Sequence, residues 1–340
     1  MTKHSIEEIN AFFGQEHGDL SQHKIKPCEM LKYYKLKNSG QIIGEINLDL
    51  GLGGQRVEIA QITDVHLNFC LPDALEDDEV LHTKQCRHWL SGGESARSII
   101  KAMDVGEYCD QTVVTGDLLD YLSAGGQYLT EKLIFERDSD VICTLGGHDA
   151  TKEMETGEKD KLSEDELLAI LKSFWIHDIH YYSKTIKDKI IVVGLDNGSC
   201  NRYFDHQIEK LIKDIEIARK ENKYILIFQH EPISTGKPED TEIEPIFPIN
   251  SEKPRIENFY NTHMCGPATK DDVTKEMYRL IVENADVIKG IFCGHFHSSY
   301  YTKIKAYDPI AEKETVIPQF VALGNPYFGH IGNVVRIIIK

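Results

Sequence analysis

The sequence predicts an α/β protein, and three observations carry that reading. First, six short Val/Ile-rich runs recur along the chain: RVEIAQIT (56–63), QTVVT (111–115), DVICTL (140–145), KIIVVGL (189–195), YILIFQ (224–229) and IKGIFC (288–293). They are continuous rather than cleanly alternating, the pattern of strands covered on both faces. Second, amphipathic stretches fill the gaps. Behind Asp205 as a cap, Ile208, Leu211, Ile212, Ile215 and Ala218 share one face; Ser163 and Glu166 form a capping box before LLAILKSF; Val273, Met277, Leu280 and Ile281 mark another helix. Third, the runs are followed by Asp and His residues, where open α/β sheets gather their ligands.

After residue 295 the texture changes to strand-like segments without helices, SSYYTKIKAY (298–307), TVIPQFVAL (315–323) and NVVRIIIK (333–340). They predict an antiparallel set added to a mixed sheet, or a second sheet packed on the first. Residues 1–55 read as an N-terminal extension packed on a main domain of residues 56–340. LKYYKLKNSGQIIGEINLDL (31–50) suggests a hairpin turning at Asn38–Gly40. Two stretches read as insertions: residues 67–98, with the acidic run EDDE, and residues 232–267, with six of the eleven prolines. Loops of that length are functional lids or disordered segments.

Composition narrows the function classes. A chain of 340 residues that is 41% apolar can bury a sizeable core. The first twenty residues alternate polar and apolar, which predicts neither a signal peptide nor a membrane span and makes the cytoplasm the expected compartment. Cys28, Cys70, Cys86, Cys109, Cys143, Cys200, Cys265 and Cys293 are scattered without a CxxC pair, so free thiols are expected rather than a disulfide framework or a thiolate zinc cluster. A net charge of -17 opposes nucleic acid and anionic membranes as partners. An anionic substrate would need local positive charge, which a bound metal can supply.

The strand ends are the main signal. Asp64 and His66 follow the first run, Gly116 and Asp117 the second, Gly146 to Asp149 the third, His230 the fifth, and Gly294, His295 and His297 the last. D-x-H and H-x-H in extended chain put both side chains on one face, so each pair can serve one metal ion. Imidazole with carboxylate suits zinc, iron or manganese rather than calcium.

The ordered series D-x-H (Asp64, His66), G-D-x-x-D (Gly116, Asp117, Asp120), G-x-H-D (Gly146, His148, Asp149), a lone His230 and G-H-x-H (Gly294, His295, His297) resembles the calcineurin-like metallophosphoesterase superfamily, over residues 57 to about 300. The resemblance implies a two-layer β-sandwich of mixed sheets flanked by helices, an αββα arrangement with two metal ions (Mn, Fe or Zn) at the strand ends. Asp64, His66 and His297 would bind the first ion, His230 and His295 the second, and Asp117 would bridge them. Ions about 3.5 to 4 Å apart would aim a water in line at phosphorus and neutralise the developing charge. His148, oriented by Asp149, would protonate the leaving oxygen or stabilise the phosphoryl charge.

One position departs from the pattern. The superfamily motif is G-N-H-D or G-N-H-E, with an Asn carbonyl on the second metal, and this chain has Gly147 there. Two readings stay open: a metal-dependent phosphoesterase, phosphatase or phosphodiesterase, for a small phosphoester; or a degenerate relative with an impaired second site, acting as a scaffold or sensor. The intact remainder of the motif set favours the enzyme. His177, His180, His206, His263 and His330 have no partner motif and read as surface or core residues. Tyr300 and Tyr301 read as strand residues packing on two faces, and the proline-rich 232–267 segment as a specificity lid.

Overall fold

The computed structural model describes residues 41–67, 94–122, 124–150, 163–199, 202–233, 244–245, 271–297, 299–326 and 332–340. Within them lie twelve strands: β1 (Ile43–Leu48), β2 (Val57–Ile62), β3 (Gln111–Thr115), β4 (Ile142–Thr144), β5 (Tyr181–Ile186), β6 (Ile190–Leu195), β7 (Tyr224–Phe228), β8 (Glu244–Pro245), β9 (Ile288–Cys293), β10 (Tyr300–Asp308), β11 (Lys313–Val321) and β12 (Val334–Ile339). Five α-helices accompany them: α1 (Glu94–Gly106), α2 (Ala124–Thr130), α3 (Glu164–Phe174), α4 (Asp205–Glu221) and α5 (Asp272–Val282). No helix among the described residues is long and apolar enough to cross a membrane.

Two mixed sheets form, one of five strands in the order β1-β12-β2-β3-β4 and one of seven in the order β5-β6-β7-β9-β11-β10-β8. The apolar runs are continuous because each strand has two faces to bury. In β2, Val57 and Ile59 enter the layer between the sheets, where they meet Val192, Leu226, Phe228 and Phe292. Ala60 and Ile62 point the other way, into a core completed by Ile99 and Met103 of α1 and Leu168, Leu171 and Phe174 of α3. In β6, Ile190 and Val192 face the inter-sheet layer while Ile191 and Val193 join Leu211 and Ile215 of α4 and Met277 and Ile281 of α5. Helices cover both outer faces, and the molecule is an αββα sandwich.

The capping box at α3 forms as its sequence predicts. Ser163 Oγ accepts from Glu166 N, and the Glu166 carboxylate accepts from Ser163 N at 2.8 Å. At α4 the cap lies one residue earlier than expected. Asp205 is the first helical residue, and Phe204 occupies the cap with its N–H donated to Gln207 Oε1 at 2.7 Å.

The C-terminal segments divide between the sheets. β10 and β11 pair antiparallel in the larger sheet, and β11 runs parallel to β9. β12 inserts in the smaller sheet, parallel to β1 and antiparallel to β2. The strand half of the hairpin expected at residues 31–50 is β1; its other half, the EDDE run, His263 and His330 lie outside the described residues. So does most of the proline-rich segment, of which Glu244–Pro245 pairs with Tyr300–Tyr301. Among the described residues Cys109, Cys143 and Cys293 are free thiols.

Candidate metal centre

Five turns leave the C-terminal ends of strands from both sheets and meet. β2, β3 and β4 deliver Asp64 and His66, Asp117 and Asp120, and His148 and Asp149; β7 and β9 deliver His230, and His295 and His297. Backbone hydrogen bonds knit these turns beyond the ladders, from Asp64 N to Gly116 O (3.1 Å), His66 N to Asp117 O (2.9 Å) and Gly294 N to His230 O (3.0 Å). Nine non-glycine residues of the described structure have positive φ, and five are Asp64, His66, Asp117, His295 and His297. The left-handed region is uncommon for such side chains and costs free energy, and it concentrates at functional sites.

Around one focus, Asp64, His66, Asp117 and His297 bring ligand atoms within 4.8 Å of one another. His66 Nε2 lies 3.0 Å from His297 Nε2 and 3.7 Å from Asp117 Oδ2, and His297 Nε2 lies 3.2 Å from Asp64 Oδ1. Two nitrogens bound about 2.0–2.1 Å from a single ion stand near that first spacing. Asp64 Oδ2 accepts from Thr63 Oγ1 (2.8 Å) and His295 N (3.0 Å), whereas the buried Oδ1 receives no directed hydrogen bond. An anionic oxygen buried beside an imidazole that is poorly directed toward it, here His297 Nε2, is well served by a cation that completes its shell. The donor set therefore fits a metal of the zinc, iron or manganese type.

The second focus rests on His230 and His295. His295 Nδ1 is 3.3 Å from His230 Nε2, which is 3.3 Å from Asp117 Oδ2, so one oxygen of Asp117 stands near His66 and His230 together. His230 Nδ1 donates to Thr115 O at 2.9 Å, which fixes the tautomer and turns Nε2 toward the centre. Gly116, at φ 77°, lies flat against the His230 ring, into which any Cβ there would run. Among the described residues a Cβ on Gly147 would touch only Gly198 O, at 3.8 Å.

The pairing of His148 with Asp149 does not form. In the 3-10 turn His148–Ala150, successive side chains point about 120° apart. Asp149 turns inward and staples two strand ends, accepting from Leu119 N (2.7 Å) and Gly146 N (2.8 Å). The partner of His148 is Asp120: Nδ1 lies 2.8 Å from its carbonyl and 3.4 Å from its carboxylate, which is also 3.4 Å from His66 Nδ1. The spacing G-D-x-x-D contained this signal, because Asp120 leaves the same strand end as Asp117. Asp117 Oδ1 accepts from His148 N at 3.0 Å.

Without metal, the carboxylates stay ionised and protons held on neighbouring imidazoles balance them. Burial raises the Asp64 and Asp117 carboxyls, but the imidazoles of His297 and His230 respectively overcome it and hold both well below their ordinary range. Burial opposes charge on His230, yet the Asp117 and Asp64 carboxylates lift it to about 10. His295, buried beside the His230 charge, falls to about 4. Burial lowers His148 but Asp120 and Asp117 bring it up to about 9, while burial and the Asp117 charge raise Asp149 to about 7.

Three histidines without a motif border a separate cavity of about 380 Å³ together with Lys172 and Asp178. His177 is spent on the fold, accepting from Cys143 N and donating to Asp178 O, both at 2.9 Å. His180 pairs with the buried Asp196 at 2.9 Å, and His206 is exposed at the rim. Tyr300 is buried in the larger sheet's core, and Tyr301 packs on Phe320 with ring centroids 5.3 Å apart.

An αββα sandwich whose strand ends from both sheets deliver histidines and aspartates to one place defines a class of metal-binding proteins. The chain matches the model of the calcineurin-like phosphoesterase family over residues 57–299 and belongs to that family. Similar solved structures include a dimetal phosphatase from Danio rerio (12% identity, 79% of this chain and 88% of that one, TM-score 0.41). They also include a putative 5'-nucleotidase from Staphylococcus aureus (12%, 80% and 55%, 0.37) and a purple acid phosphatase from yellow lupin, Lupinus luteus (9%, 82% and 45%, 0.47). The chain thus spans about half the length of the last two. Comparison with curated proteins gives no match.

Proposed function

We propose that this protein is a metal-dependent phosphoesterase acting on a small phosphomonoester or phosphodiester. Asp64, His66, His297 and Asp117 hold one ion, and Asp117, His230 and His295 hold the other. The observation that carries the reading is the position of Asp117, with Oδ2 3.7 Å from His66 Nε2 and 3.3 Å from His230 Nε2. Family membership supports the same chemistry. Bound ions of this kind polarise a phosphoryl oxygen and activate a water.

The chain's own residues do the rest. Asp120 holds the His148 ring, which is 36% exposed and stands at the mouth of the centre. A proton on Nε2 of that ring is placed for a leaving oxygen or for the charge on a phosphoryl group. Asp149 acts at one remove, by fixing Gly146 and Leu119. The second reading, a scaffold or sensor, is favoured by one feature, the absence of a side chain at Gly147.

Turnover of p-nitrophenyl phosphate and of its bis-ester with added Mn2+ separates the two. The enzyme reading expects hydrolysis that Asp117→Asn abolishes. Hydrolysis surviving that change overturns the ligand assignment, and inactivity with Mn2+, Fe2+ and Zn2+ alike leaves the scaffold.

A further inference from the structure

Between β6 and α4 the chain turns through Asp196, Asn197, Gly198 and Ser199. No motif marks these residues, yet Asp196 and Asn197 are completely buried. We infer that this turn is the positioning element for His230 and the Gly146–Gly147 turn, with Asn197 and Asp196 as its positioning residues. The importance of His230 here rests on the reading of it as a metal ligand.

Three contacts carry the inference. Asn197 grips the residue after His230 in both directions, its Oδ1 accepting from Glu231 N at 3.0 Å and its Nδ2 donating to Glu231 O at 2.8 Å. That pairing fixes the backbone from which the His230 side chain departs. Next, Gly198 is wedged between the two halves it aligns. A Cβ there would lie 2.5 Å from Leu145 O, 2.6 Å from Gly146 Cα and 3.1 Å from His230 Cβ. Since two of those atoms are backbone, only glycine fits without moving the turn.

The outer anchor is Asp196. Its Oδ1 accepts from Ser199 N (3.1 Å), and its Oδ2 from Ser199 Oγ (2.7 Å) and His180 Nδ1 (2.9 Å). Gln207, at the start of α4, donates to both His180 O (2.6 Å) and Asp196 O (2.7 Å). A fully satisfied buried polar network specifies a single arrangement, because any other leaves buried groups unpaired. Here the arrangement so specified is the approach of Gly198 to His230. With no side chain at Gly147, the second focus has Asp117, His230 and His295 among the described residues, and the placement of His230 has little redundancy.

The test reads His230 directly in metal-free protein with 15N-labelled histidine. The Nδ1–H held by Thr115 O gives a ring signal assigned by its absence in His230→Gln, and His66 serves as the internal reference on the first focus. Asn197→Ala is expected to shift the His230 signal and speed exchange of that proton while leaving His66 in place. Ser199→Ala, a milder change at a half-buried position, is expected to move the same signal less, and it decides the matter should Asn197→Ala fail to fold.

In equilibrium dialysis with Mn2+, the weaker binding step should fall about 10-fold or more in Asn197→Ala, the effect of losing a group that orients a ligand. His230 signals coinciding with wild type in the folded variants would overturn the inference. A wild type that binds no second ion, with His230 still shifted in the variants, would sink the two-metal reading and leave the positioning role standing.

Discussion

Around Asp117 the first focus gathers two carboxylates and two imidazoles within 4.8 Å, whereas the second has two imidazoles, the shared carboxylate and a glycine where the family places an asparagine. The supports differ in the same sense. Asp64 is held by Thr63 and by the amide of His295, and all four side chains of the first focus leave residues in the left-handed region at strand ends. His230 is held by Thr115 O, Gly116 and the Asn197 turn, all supplied by neighbouring segments. The difference teaches that the two foci are built unequally, and on the proposed reading the second ion would be the more easily lost.

The largest expected effect comes from the residue common to both. Asp117→Asn should abolish Mn2+-dependent turnover, by at least about 100-fold, and weaken both binding steps in a calorimetric titration. Loss of one step alone would break the comparison, since Asp117 would then serve a single focus. Next in size, His148→Gln should lower kcat by about 100- to 10,000-fold with metal binding unchanged. Reduced metal content in that variant would make His148 part of the metal shell instead.

Gly147→Asn tests the asymmetry itself. Among the described residues the new Cβ meets only Gly198 O, at 3.8 Å, so the protein should fold normally. Its weaker binding step should tighten about 10- to 100-fold. Two steps that already coincide in wild type would mean that another group completes the second focus.

A smaller effect follows from the protons. His230 is raised to about 10, so it is charged at neutral pH before metal arrives, and although burial opposes charge on His297 the Asp64 carboxylate raises it too. Metal must displace those protons, and affinity should climb as pH rises toward the His230 value. Calorimetry in buffers of different ionisation enthalpy should register the release; heats that do not depend on the buffer would mean the imidazoles start neutral. At the lower end of the scale for the centre, Leu171→Ala, buried in the core beneath α3, should cost about 2–5 kcal/mol of stability while leaving both binding steps where they were.

Much of this centre was legible in the sequence because its logic is local. Asp64 and His66, or His295 and His297, are two residues apart on a strand exit, and burial on both faces makes the strands themselves conspicuous. QTVVT and IKGIFC coincide with β3 and β9 to the residue. What was not legible depends on pairing across long separations. Nothing in NVVRIIIK shows that it inserts between β1 and β2, and nothing in LDNGS shows that its asparagine grips the residue after His230. The partner of His148 was misjudged for a local reason. Adjacency in sequence suggested Asp149, but a 3-10 turn sends neighbouring side chains apart and leaves the place to Asp120.

The insertion of β12 bears on how the protein is made. Arg336 reaches Glu45 on one side at 3.1 Å and Glu58 on the other at 2.5 Å, bonds that span 291 and 278 positions of chain. During synthesis β2, with Asp64 and His66 at its end, leaves the ribosome long before the strand that fills the slot beside it. Until residues 334–339 emerge, that slot presents two unpaired strand edges, and contacts closed across such long loops form slowly. A nascent chain of this protein must therefore carry Asp64 and His66 on an unfinished sheet until β12 has been made.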